Sequence, residues 1–112
     1  MAIAVPAQAE TWRYITRSSD GDFFLDDDSV RRNGDIVYFN SLRVAPVPEK
    51  GVAAVKVSRS MSCAHGVWRT RAVVMYNQGN KVVGQENPGD KGRLSRVAAN
   101  SIGEDFYLEL CR

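Results

Sequence analysis

From Thr11 onward, apolar and polar positions alternate in short runs broken by turn-forming residues, the period-2 signature of half-buried strands in an antiparallel sheet. Trp12, Tyr14 and Thr16 share one face of a first strand that ends at Ser18-Ser19-Asp20-Gly21. Asp20-Gly21 between two such runs predicts a hairpin, because both residues tolerate positive φ. A second strand, Asp22 to Asp26, carries Phe23, Phe24 and Leu25 and runs into an acidic turn, Asp26-Asp27-Asp28-Ser29. Asn33-Gly34, flanked by Val30-Arg31-Arg32 and Asp35-Ile36-Val37, predicts another hairpin of the type I′ kind. The third strand extends from Ile36 to about Val44, with Ile36, Tyr38, Leu42 and Val44 on one side. Pro46, Pro48 and Gly51 then predict a loop, since proline cannot donate to a ladder.

The segment from Val52 to Tyr76 reads as a long hairpin. Ala53, Val55, Val57, Arg59, Met61 and Cys63 form one parity of its first arm, and Trp68, Thr70, Ala72, Val74 and Tyr76 one parity of its second. A two-residue turn at His65-Gly66 sets Cys63 opposite Trp68, Met61 opposite Thr70, Val57 opposite Val74 and Val55 opposite Tyr76. A one-residue slip would bring Arg69 and Arg71 onto the buried side, whereas a four-residue loop keeps the parity. A turn at Gln78-Gly79-Asn80 leads to a sixth strand, Lys81 to Gln85, and Asn87 to Gly92 is loop. Arg93 to Asn100 fits a short helix and an extended segment equally. Ser101-Ile102-Gly103-Glu104 has capping-box spacing, and Ile102, Phe106 and Leu110 continue it at helical spacing to about Cys111. The expected fold is therefore α+β: an antiparallel sheet of about six strands in meander order, with a C-terminal helix packed on it.

Composition narrows this only slightly. The 112 residues, 44% hydrophobic and 25% charged, suit one folded domain. Fifteen basic against thirteen acidic residues leave +2, too weak a balance to indicate a nucleic-acid or anionic-membrane partner. No stretch approaches the roughly 20 apolar residues of a membrane-spanning helix. Met1 to Ala9 is apolar and ends in Ala7-Gln8-Ala9, the small-x-small triplet of a signal-peptidase site, although a basic n-region is missing. Residues 1–9 read as a residual signal segment or as a disordered tail, and residues 10–112 as the domain. The two cysteines, Cys63 and Cys111, have no metal-ligand spacing. In an exported protein they are most simply one disulfide, closing a loop of 49 residues and tying helix to sheet; in a cytosolic one they would be two buried thiols.

Little in the chain suggests catalysis, a cofactor or a metal. The single histidine, His65, sits beside Gly66 in a turn with no local orienting partner, and no serine has nucleophile-elbow context. Asp26, Asp27 and Asp28 lack the spacing that converges oxygens on calcium and read as turn caps. Arg69 and Arg71 project opposite Trp68, near Lys56 on the neighbouring arm. The strip reads either as a solvated sheet face or as a cationic surface for a ligand. Aromatics fall on the other parity, against base stacking and hence against nucleic acid. With Val73 and Met75 beside them, Lys56, Arg69 and Arg71 form a candidate protein-binding or self-association surface.

The order of these features resembles the bacterial surface-adhesin E family. The matching elements are Trp12, Asp20-Gly21, Phe23-Phe24-Leu25-Asp26 and Ser29-Val30-x-Arg32-x-Gly34 with the Ile36-Val37 strand. Cys63, Arg69-x-Arg71, Tyr76, the Gly79 turn, Ser101-x-x-Glu104 and Leu110-Cys111 complete them. The resemblance implies a small exported domain of antiparallel strands, its C-terminal helix held by a disulfide, with Asp26 to Ser29 as a structural Asp-x-x-Ser turn. Characterised members are outer-surface lipoproteins that bind host matrix and serum proteins, and dimers are known. This chain departs from them in having no lipobox cysteine. The expectation is a non-enzymatic exported protein, periplasmic or at the cell surface, binding a host matrix or envelope protein, with homodimerisation as a further mode. The alternative is a periplasmic small-ligand-binding or envelope-enzyme-inhibitor module using a pocket between helix and sheet.

Overall fold

The computed structural model describes residues 11–112, so the segment expected at 1–9 lies outside the described residues. Seven strands follow one another: β1 (Trp12–Ser18), β2 (Gly21–Asn33), β3 (Ile36–Glu49), β4 (Val52–Ser62), β5 (Val67–Tyr76), β6 (Val82–Glu86) and β7 (Leu94–Arg96). Among the described residues one α-helix, α1 (Ile102–Leu110), follows the strands. All pairings are antiparallel and β1 to β6 are neighbours in chain order, the expected meander. The 93–100 segment, ambiguous in the sequence, supplies β7, which pairs with the start of β5 while β6 pairs with its end.

The turns differ from expectation in instructive ways. Ser18 pairs with Gly21, making Ser19-Asp20 the first turn, and Asn33 pairs with Ile36, making Gly34-Asp35 the second. Gly21 belongs to the strand because β3 crosses closely there: a Cβ at this position would lie 2.1 Å from the Val44 carbonyl oxygen. β3 continues through Pro46 and Pro48 because its ladder with β4 is interrupted between Val44 and Glu49, where no proline N–H is needed. The reversal falls instead at Lys50-Gly51, both with positive φ.

In the β4–β5 hairpin Ser62 pairs with Val67, so the loop has four residues rather than two, and Met61 rather than Cys63 faces Trp68. Parity is preserved as far as Arg59 and Thr70. There β5 carries an extra residue, Arg71, after which Val73 faces Val57 and Met75 faces Val55, correcting the expected Val57–Val74 and Val55–Tyr76 pairs. This bulge moves the second half of β5 by one position, so its alternate side chains change faces.

On one face, Leu25, Val37, Phe39 and Met61 pack against Phe106 and Leu110 of α1. On the other face and toward the opposite end of the strands, Phe24, Leu42, Ala54 and Tyr76 form a second cluster with Trp12, Val44 and Val74. The Ser101 hydroxyl accepts the Glu104 N–H at 3.2 Å and starts the helix. The Glu104 carboxylate returns to the Asn100 N–H at 3.0 Å, one residue before the one that the capping-box spacing implies. Gly103 permits the close approach: a Cβ there would lie 2.9 Å from Trp68 Cζ2. Phe106 stacks on Phe39 with ring centroids 5.8 Å apart.

Cys63 and Cys111 form a disulfide, Cα to Cα 5.5 Å, tying the end of α1 to the β4–β5 loop. The Tyr107 hydroxyl donates to the Cys63 carbonyl at 2.7 Å, and the Arg32 guanidinium donates to the Leu110 carbonyl. Arg13 bridges Asp27 at 2.8 Å and Glu109 at 2.9 Å. Such exposed ion pairs contribute on the order of 0.5 kcal/mol, against about 2–3 kcal/mol for burying a phenylalanine. Apolar burial therefore holds the helix, and the polar contacts set its direction. Because the disulfide closes a loop of 49 residues, reducing it is expected to lower unfolding stability by about 4 kcal/mol, measured by urea titration with and without reductant.

Candidate binding surfaces

The register places the five sequence-selected residues on two different faces. Lys56, opposite Leu42 and Val74, shares the face of Arg69, which lies opposite Ser60 and Leu94. Arg71 points to this side too, donating to the Ser60 hydroxyl at 2.7 Å. Val73 and Met75 lie across the bulge on the helix-bearing face. Parity counting alone cannot detect such an inserted residue.

Around Arg71 the sheet forms a shallow groove of about 290 Å³ lined by Ile36, Tyr38, Val67, Leu94 and the two arginines, with Ser60 and Ser62. Both arginines are held in place. Arg71 pairs with Asp90 at 2.7 Å and lies 5.4 Å over the Tyr38 ring, while Arg69 donates to the carbonyls of Asp90 and Gly92. These contacts fasten the 3-10 turn Gly89–Lys91 to β5. The Arg71 guanidinium holds the Asp90 carboxyl below its ordinary range. Leu94 is 54% exposed at the rim. Its contribution escaped the sequence reading because three strand residues between turns carry too little periodicity.

On the opposite face, beyond the end of α1, Val55, Val57, Val73 and Met75 form a half-buried apolar strip. The strip leads into a hollow of about 330 Å³ shared by Arg43, Glu49, Lys50, Val55 and Met75. At its helix end the Arg59 guanidinium lies flat over Trp68, 4.3 Å from the ring centroid.

The turn readings have direct structural counterparts. The Asp26 carboxylate accepts the Asp28 N–H at 3.0 Å, and the Ser29 hydroxyl donates to the Asp26 carbonyl at 2.7 Å and accepts the Asn40 N–H at 2.8 Å. These bonds form the Asp-x-x-Ser turn that the resemblance implies. Asp27 is drawn to Arg13, which keeps its carboxyl ionised to lower pH than usual. His65 stands in the exposed four-residue loop beside Asp35, a neighbour from the β2–β3 turn invisible to local sequence. The Asp35 carboxylate accepts from the Ser62 hydroxyl and from the Ala64 N–H, so it braces this loop.

The sequence matches the family described as Surface-adhesin protein E over residues 12–112. The chain belongs to that family. Among solved structures, Haemophilus influenzae protein E in crystal form II matches with a TM-score of 0.62 at 15% identity, covering 99% of this chain and 96% of that one. The selenomethionine form of the same protein gives 0.60 at 16%, covering 88% and 84%. A structure of protein E from non-typeable Haemophilus influenzae gives 0.60 at 16%, covering 96% and 80%. At identities this low, the TM-scores show a shared fold alone. No curated protein sequence matches the chain significantly. Among the described residues, no helix is long and apolar enough to cross a membrane.

Asp35 gives this surface-adhesin E domain a pH dependence. The Ser62 hydroxyl first, and then the Ala64 N–H, hold its folded pKa below the ordinary 3.8. The resulting stabilisation is complete above that value and is lost as the pH falls through the lower folded pKa. Melting temperature should therefore drop on acidification below 3.8, and Asp35→Asn should shrink the drop, as followed by circular dichroism.

Proposed function

We propose that this chain is a non-enzymatic, exported, adhesin-like bacterial domain that binds another protein through the groove around Tyr38, Arg71 and Leu94. Its membership of the surface-adhesin E family supports an adhesin-like surface protein. The Cys63–Cys111 disulfide supports passage through an oxidising compartment, with the periplasm or the cell surface as its destination. The observation that carries the reading is the makeup of the groove. An aromatic ring, an exposed leucine and a guanidinium already fixed in place combine the residue types that dominate protein interfaces. A fixed Arg71 loses little side-chain freedom when a partner docks. The host-matrix or envelope protein expected from the resemblance is the class of partner proposed. Homodimerisation through the same groove is a further mode, read by sedimentation.

The rival reading, a small-ligand or inhibitor module, needs space between helix and sheet. That interface is filled by Leu25, Val37, Phe39, Met61, Phe106 and Leu110. Protein binding is therefore the stronger reading.

Two substitutions separate a contact role from a structural one. Arg71→Ala removes the guanidinium and its ion pair, whereas Asp90→Ala breaks the same pair and leaves the guanidinium. On immobilised host-matrix and envelope proteins, Arg71→Ala should weaken capture about tenfold, while Asp90→Ala should leave it intact. Equal retention by both variants would remove the groove from the binding mechanism.

A further inference from the structure

On the face opposite that groove, the Arg59 side chain is largely buried between Trp68 and the sheet. Its contacts among the described residues are the Trp68 ring, 4.3 Å from Cζ, and the Ser41 hydroxyl, 3.4 Å from Nη1. No carboxylate among the described residues pairs with it. Burial pushes its pKa down to about 10, so it still carries its charge at neutral pH. A guanidinium in this position has lost part of its hydration without gaining a counter-ion, which is costly unless something else supplies one.

The surroundings indicate what would. On the same face of β4, Val57 and Val55 follow Arg59 at two-residue steps, opposite Val73 and Met75 of β5. Met75 reaches across to Gly84 of β6, where a Cβ would lie 2.7 Å from its terminal methyl. The strip ends in the hollow beside Arg43 and Lys50. Arg59 to Val55 spans four strand steps, roughly 13 Å, the end-to-end reach of about five residues of extended peptide. Three cations, Arg59 at one end and Arg43 and Lys50 at the other, outnumber the two carboxylates of Glu49 and of Glu86, which lies opposite Val73 on the same face. A symmetric contact between two copies of this face would bring those like charges together, which disfavours a second copy as occupant.

We infer that this strip is a docking site for an extended acidic segment of a partner protein. One carboxylate of the segment pairs with Arg59 over Trp68, and its alternate apolar side chains rest on Val55, Val57, Val73 and Met75. The inference rests on the protein-binding reading above for the nature of the occupant, but it uses different residues on the other face of the sheet.

The probe is the blocked peptide acetyl-Val-Ser-Val-Ser-Glu-amide, titrated into the isotope-labelled, disulfide-intact full chain and followed by NMR, against the same peptide ending in Gln. The Glu peptide should shift the Trp68 indole N–H and the Val57 and Val73 amides. The Gln peptide should bind about tenfold more weakly, the size of a lost charge-assisted hydrogen bond. Arg59→Gln should erase the difference between the peptides, and Arg59→Lys should keep part of it. Because the peptide pair acts on the unaltered chain, the comparison stands even if a variant fails to fold. Equal shifts from both peptides would overturn the inference, as would no shift at about 5 mM peptide or the same resonances moving on simple dilution of the protein. Loss of capture by Arg71→Ala alongside any of these results would leave the protein-binding reading standing and remove only this site.

Discussion

The seating of a nine-residue helix on one end of one sheet face is the constraint on which the rest of the structure depends. Six or seven antiparallel strands in a single layer cannot bury both faces, and a helix this short has little stability of its own. Each supplies what the other lacks. Phe106, 1% exposed, enters between Phe39 and Trp68, and the Cys63–Cys111 link then prevents the last turn from leaving. The tether ends in the same four-residue loop that Asp35 braces from the neighbouring hairpin, so two turns and the helix terminus form one joint.

With α1 covering one end of one face and the Phe24–Leu42–Ala54–Tyr76 cluster forming toward the other end of the opposite face, the open surfaces fall on the opposite diagonal. One carries Tyr38, Arg71 and Leu94; the other carries Arg59 and the Val55–Met75 strip. The bulge at Arg71 produces this division. Without the extra residue, Val74 and Tyr76 would continue on the helix-bearing face, and the second cluster would lose them. One inserted residue thus lets a single strand contribute to clusters on both sides of the sheet.

Much of this was legible in the chain. Period-2 runs and turn residues located six strands, the capping-box spacing located the helix, and an even cysteine pair in a signal-like context pointed to the disulfide. Parity fixed the buried side of the β4–β5 hairpin near its loop because a slip would have buried arginines. The features that were not legible depend on contacts distant in sequence. Asp35 beside His65, Arg32 at the end of α1, and Gly21 under the Val44 carbonyl all follow from strand neighbours rather than from local pattern. The candidate site was half legible. The arginine pair and its face were found, but the bulge sent Val73 and Met75 to the other side, where they join Arg59, a residue whose parity alone had marked it as core.

Native-state amide hydrogen exchange in the oxidised and reduced protein tests most directly whether the helix is held by this joint. The Phe106 to Leu110 amides of the oxidised protein are expected to exchange only with the most protected sheet amides, in global unfolding. After reduction the central β3 and β4 amides should lose protection only by the fall in global stability, about 4 kcal/mol, while the helix amides should lose more and open ahead of the sheet. Unchanged protection of the helix after reduction would contradict this, as would loss of protection by the same amount in helix and sheet.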